Sequence, residues 1–275
     1  MNRQKRIALV NDITGFGRCS ITVALPLISA LKVEACPFPT AILSVHTGFP
    51  THWMDDFTDR MRPYMDNWKA NGLTFDGIAT GFIGSAAQIS IVSDFIHMFG
   101  GPETKVHMDP VMGDYGRLYS SYTPEMVKAM RRLLPEADLV MPNLTEACCL
   151  LNMPYPKDGV ISDEKLDAIA QALMDRGPRQ VVITGLSEGD VIRNFIGEKG
   201  KSPSIVSARK IGSDRCGTGD AFAAIVSASL IRGETLPAAV KKAADFIEKC
   251  MVYTEQLGIP WTYGLAFEEY LTELQ

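Results

Sequence analysis

Short apolar runs alternate with stretches of helical period along this chain, and that alternation constrains its fold more than any other feature. The runs fall at residues 7–10, 33–37, 78–82, 106–109, 139–142 and 181–184, and helical spacing of apolar residues fills 20–31, 54–70, 85–99, 123–134 and 163–176. Several runs lack polar alternation, which suits strands covered on both faces, and parallel strands need crossovers of this length. The pattern predicts an α/β fold: a three-layer α/β/α sandwich around a mostly parallel sheet. Residues 190–197 and 204–211, joined by the polar segment 198–203, predict an antiparallel pair at one edge. Residues 218–231, 236–257 and 265–274 read as helices, and no linker or repeat divides residues 1–275, which read as one domain.

Composition removes other classes. Lys and Arg number 27 against 32 Asp and Glu, a net charge of −5, so there is no electrostatic footprint for nucleic acid or an anionic membrane. The apolar run at residues 7–10 is too short for a signal-peptide core or a membrane span. Cys19, Cys36, Cys148, Cys149, Cys216 and Cys250 form no C-x-x-C pair, and the four histidines add no metal-ligand spacing. Reduced thiols in a cytoplasmic protein, mostly small core residues, are the expectation.

The most informative segment is Gly217-Thr218-Gly219-Asp220, which opens a small-residue helix. Glycine permits close approach of backbone to ligand, and a helix N-terminus offers unpaired N–H groups with partial positive charge, an anion site. Asp220 would sit at its mouth, placed to accept a proton from a hydroxyl. The plainer alternative is a helix-start acid with glycines as turn punctuation. Two near-matches fail. Residues 212–218 have Walker-A glycine spacing but Thr218 where lysine is required, and Gly15-Phe16-Gly17-Arg18-Cys19-Ser20, which follows the first strand and opens a helix, has Ser20 where a dinucleotide fingerprint needs its third glycine.

Other acids fall at strand ends, where α/β sheets bind ligands. Asp109 and Asp114 flank Pro110-Val111-Met112-Gly113, either a polar turn or carboxylates for a metal–nucleotide. Asn143 or Thr145 suits an N-cap, with Glu146 completing a capping box from Asn143; Glu146 could equally orient Mg²⁺ through water. His46-Thr47-Gly48-Phe49-Pro50 reads first as a surface turn, and second as a loop that captures a flat ring. His97 and His107 read as satisfied core or surface residues, and Lys241-Lys242 as a solvated helix face.

Taken together, these segments resemble the vitamin B6 kinases (pyridoxal, pyridoxine and pyridoxamine kinase) of the ribokinase-like superfamily. The resemblance rests on Asp12-Ile13-Thr14-Gly15-Phe16-Gly17, His46-Thr47-Gly48-Phe49, Asp109 to Asp114, Asn143 to Glu146, Val182-Ile183-Thr184-Gly185 and Gly217 to Asp220, in family order over nearly the whole chain. It implies ATP-dependent phosphorylation of a vitamer's 5′-hydroxymethyl group, with Asp220 as general base and Gly217, Thr218 and Gly219 as the anion hole. It implies Asp109, Asp114, Asn143, Glu146 and Thr184 around ATP–Mg²⁺, Asp109 and Glu146 on the metal side, and Tyr119 in a mobile loop over the nucleotide. Asp12, His46, Thr47 and Gly48 would face the pyridine ring. ATP and Mg²⁺, with a monovalent cation as a further candidate, would be the cofactors, and the family is typically a homodimer.

The chain departs from that pattern in two places. Familiar pyridoxal kinases have serine where it offers Asn11 or Asp12, and its loop 114–123 is shorter than in several members. Its first motif also resembles hydroxymethylpyrimidine kinases of thiamin synthesis, which often carry cysteine in place of Asp220. That activity is the alternative, with a non-catalytic vitamin- or nucleotide-sensing protein behind it.

Overall fold

Strand β1, Arg6–Phe16, divides its side chains between two apolar cores: Ala8 and Val10 enter one, Ile7 and Leu9 the other. This is the period-2 alternation of a strand covered on both faces. The computed structural model describes residues 3–157 and 159–275. After β1 the order is α1 (Ile21–Ala30), β2 (Glu34–Val45), β3 (Met54–Asp56), α2 (Thr58–Ala70), β4 (Gly77–Thr80), α3 (Ala86–Phe99) and β5 (Lys105–Met108). A small hairpin, β6 (Gly113–Asp114) and β7 (Arg117–Leu118), precedes α4 (Pro124–Arg131), β8 (Leu139–Val140), α5 (Leu144–Leu151) and α6 (Asp163–Met174). The chain then runs through β9 (Gln180–Glu188), β10 (Val191–Glu198), β11 (Ser204–Arg209), α7 (Thr218–Ile231) and α8 (Leu236–Leu257).

The main sheet has the order β11-β10-β9-β8-β5-β4-β1-β2-β3. Neighbours from β2 through β9 pair parallel, while β9–β10, β10–β11 and β2–β3 pair antiparallel. Helices α2 to α6 cover one face and α1, α7 and α8 the other, which makes the three layers expected. The chain leaves β1 for β2 on one side and later returns to β4 on the other, so a topological switch point lies between β1 and β4, where such sheets bind ligands.

Three expectations need correction and one is extended. Residues 54–56 pair with Ala41–Leu43 as an edge strand, and the helix begins only at Thr58, whose N–H donates to Asp56 Oδ1 at 2.7 Å. β1 continues past Val10 to Phe16, because Asn11, Asp12 and Thr14 satisfy their polar atoms inside the fold; Gly15 and Phe16 therefore belong to the strand, not to a turn after it. The antiparallel pair of strands at the β11 edge is matched by a second antiparallel edge, β2–β3. Residues 265–274 form no α-helix; a 3-10 helix spans Glu268–Leu274, preceded by another at Trp261–Tyr263.

Candidate active site

Gly217 is the N-cap of α7 at φ 81°, and a Cβ there would stand 2.0 Å from the Arg18 carbonyl oxygen. The fold itself demands that glycine. Gly219 differs, since a Cβ on it would meet nothing within 4 Å, so no protein atom explains its side-chain-free face. The N–H groups of Thr218, Gly219 and Asp220 find no acceptor among the described residues, and pairing begins with Ala221 N–H to Gly217 O at 2.9 Å. Three free amides at the head of a 14-residue helix make an electropositive cradle.

Asp220 sits beside them, half-buried. Asn11 Nδ2 donates to its Oδ1 at 3.2 Å, and the nearby Ser20 backbone N–H favours its charged form. Burial pushes its carboxyl up to about 7, with the Asp12 charge adding to the effect. Asn11 cannot turn away, because its Oδ1 accepts from Asp12 N–H at 2.9 Å and Phe82 N–H at 2.8 Å. Asp12 is 4% exposed and turns its carboxylate to the Thr14 hydroxyl, 2.6 Å away, and to Ser20. Of the two neighbours, Asn11 touches Asp220 and Asp12 turns away from it. The wall beside them is strained, with φ of 46° at Arg18 and 57° at Ser20, while Gly17 takes 116° at no steric cost.

Asp109, one residue past β5, shares with Asp220 and Asn11 a cavity of about 30 Å³, room for a water. Thr80 Oγ1, on the same wall, has no hydrogen-bond partner among the described residues. Burial raises the Asp109 carboxyl well above the usual range, helped by the charges of Glu146 and Asp220.

Glu146 and Asn143 form a capping box at α5. Glu146 accepts from Asn143 N–H at 2.8 Å and from Met112 N–H at 3.0 Å, while burial pushes its carboxyl up to about 8. Asn143 Nδ2 donates to Gly113 O at 2.8 Å and its backbone bridges to Thr184, so helix, hairpin and β9 meet there. Asp114 stands in the β6–β7 hairpin, accepting Tyr115 N–H at 2.8 Å. Tyr119 follows the hairpin, its N–H held by Met112 O at 2.9 Å, and the charges of Glu146, Asp114 and Asp109 act on its hydroxyl. The Tyr115 hydroxyl donates to Asp214, tying the hairpin to the loop before α7.

On the far side, His46 has both ring nitrogens engaged: Nδ1 accepts Gly48 N–H at 3.1 Å and Nε2 meets Thr262 O at 2.8 Å. It shapes the loop rather than offering a free donor, and Thr47 and Gly48 are exposed beside it. The sequence reading missed the aromatic wall here. Phe16 stacks edge-on against Tyr263 at 4.9 Å and Phe49 at 5.9 Å, and Trp261 lies 6.0 Å from His46. Nothing local in residues 261–263 signals that placement; it arises from the return of the chain after α8.

No three His, Cys, Asp or Glu side chains among the described residues form a ready-made metal cage. Mg²⁺ needs none, since it is usually held by one or two carboxylates together with substrate phosphates. Asp109, whose carboxylate takes no hydrogen bond from the described residues, and Glu146, held by the Met112 and Asn143 N–H groups, fit such a metal.

A family model for phosphomethylpyrimidine kinase matches residues 25–262. The chain belongs to the phosphomethylpyrimidine kinase family. It is 29% identical over 183 residues to the hydroxymethylpyrimidine/phosphomethylpyrimidine kinase of Haemophilus influenzae, a match spanning 65% of this chain and 65% of that enzyme. It is 26% identical over 260 residues to the pyridoxine/pyridoxal/pyridoxamine kinase of Bordetella bronchiseptica, covering 88% and 87% of the two chains. A crystal structure from Bacteroides thetaiotaomicron, described as that of a candidate phosphomethylpyrimidine kinase and solved with pyridoxal, superposes with a TM-score of 0.95 at 38% identity, covering 99% of this chain and 96% of that one. The family fold is the ribokinase-like sandwich described above.

Proposed function

We propose that the chain transfers the γ-phosphoryl group of ATP to the 5′-hydroxymethyl group of a vitamin B6 vitamer. The observation that carries this reading is the pairing, at the head of α7, of three unpaired amides with a half-buried carboxylate. Phosphoryl transfer asks for alignment and charge neutralisation more than covalent chemistry. The amides of residues 218–220 hold the charge that develops on the transferring group. Asn11 keeps Asp220 aimed at the incoming hydroxyl, and Asp220 takes its proton late in the transfer. Asp109 and Glu146 would hold Mg²⁺, which neutralises phosphate charge when bound. Asp114, Asn143, Thr184 and Tyr119 line the nucleotide side, and Thr47, Gly48 and the aromatic wall the ring side. The reading includes a single catalytic domain over residues 1–275 working as a homodimer, supported by the resemblance to B6 kinases, with a cytoplasmic setting supported by the cysteine usage.

Hydroxymethylpyrimidine phosphorylation is the second reading, favoured by the family model and the Haemophilus relative. The acid at position 220 favours B6. A coupled ADP-release screen against pyridoxal, pyridoxine, pyridoxamine, hydroxymethylpyrimidine and ribose tests both: turnover of a vitamer above the pyrimidine is expected, and turnover of the pyrimidine alone overturns the first reading.

A further inference from the structure

Cys19 lies in the strained segment 17–20, and Cys216 immediately precedes the α7 N-cap. The two segments press together, since a Cβ on Gly217 would lie 3.4 Å from the Cys19 Cα. Across this contact the Cys19 and Cys216 thiols act on each other, with the His46 ring nearby. The Asp12 and Asp220 carboxylates face the pair. Cys19 is 5% exposed and Cys216 half-buried, so a small reagent meets Cys216 first.

We propose that Cys19 and Cys216 are a redox-responsive pair, oxidised by hydroperoxides to a disulfide that disables the phosphoryl-binding turn. The chemistry of the sulfurs favours it. Cys19, then the nearby His46 ring, holds the Cys216 thiol below the usual thiol range, whereas burial pushes Cys36 and Cys148 up to about 11 and Cys250 up to about 12. The thiolate is the reactive form, so oxidation selects Cys216. Its sulfur attacks one peroxide oxygen; the O–O bond breaks, a sulfenic acid forms, and the departing oxygen takes a proton to leave as water or an alcohol. The Cys19 thiol then attacks the sulfenic sulfur; the S–S bond forms, the S–O bond breaks, and a water leaves with the Cys19 proton. The two thiols supply two electrons and the peroxide accepts them.

The bridge acts on catalysis through the backbone. The Cys216 carbonyl accepts Leu265 N–H at 3.2 Å, and the next residue is the N-cap of the helix whose amides hold the phosphoryl charge. Drawing the Cys216 Cα toward Cys19 turns that peptide and moves the amides off target. The inhibitory half of this inference rests on the kinase reading; the pairing half does not.

The full-length chain is reduced, desalted, exposed to hydrogen peroxide and quenched with N-ethylmaleimide, then divided between non-reducing peptide mapping and the ADP-release assay. A peptide linked through Cys19 and Cys216 is expected, with turnover down about a hundredfold and restored by dithiothreitol. Cys19→Ser or Cys216→Ser removes the linked peptide, while Cys148→Ser keeps it. Both thiols remaining alkylatable after peroxide overturns the pair, and a linked peptide with undiminished turnover overturns its effect on the turn. A linked peptide in a chain that phosphorylates no vitamer upholds the pair and removes the kinase reading.

Discussion

Gly217 and Gly219 stand two positions apart yet are glycine for different reasons. The first is pinned by its left-handed backbone and the Arg18 carbonyl, while the second faces open space. Gly219→Ala should therefore leave the melting temperature unchanged or raise stability by up to about 1 kcal/mol. It should also raise KM for ATP and lower kcat, because the new methyl fills the cradle. Asp220→Asn should lower kcat about 10²–10⁴-fold. With the wild-type carboxyl raised to about 7, kcat should climb with pH through that value, and the Asn variant should lose that limb. The same substitution removes a carboxylate that is ionised at a cost, so the variant should melt no lower than wild type at pH 8. The motif around Asp220 was legible because its residue types are contiguous. Asn11 was only half legible: the carbonyl that orients its amide belongs to contacts with Phe82 N–H, 71 positions away.

Helix α5 shows how one element can serve both a plain and a chemical purpose. Asn143 and Glu146 form the capping box, and the same Glu146 carboxylate also holds Met112 N–H. Asn143→Ala removes the cap and frees Gly113 O, so it should cost about 1 kcal/mol. Differential scanning calorimetry should read this as a fall of about 2–4 °C. The hairpin should loosen too, seen as a KM for ATP that rises while the vitamer KM holds. Long helices such as α8 were readable to the residue, since their period runs over many turns. β3 was not: three residues carry too little pattern to be told from the helix that follows.

Across the whole molecule, carboxyls are raised at Asp12, Asp109, Asp114, Glu146 and Asp220, all by burial first. Each holds a proton in the folded chain at pH values where the unfolded carboxyl, near about 4, has lost it. At these sites the folded state binds more protons, so their contribution to stability falls as pH rises from about 4 toward 8, while His107, pushed down to about 4 by burial, contributes in the opposite sense up to about pH 6.5. Melting temperature in EDTA should drop across that range, and Mg²⁺ should restore more of it at pH 8 than at pH 6; a flat profile would remove the crowded-acid description. The layered architecture and the antiparallel β11 edge followed from apolar patterning, whereas the meeting of residues 11, 109, 146 and 220 depends on strand order, which no local pattern encodes.

The stitching of Thr262 to His46, and of Leu265 to Cys216, has a consequence for synthesis. A ribosome that has delivered the β-strands and most helices still holds back the stretch that closes the cleft. Until that stretch clears the exit tunnel, the ring side of the cleft lacks the wall that Tyr263 supplies against Phe16.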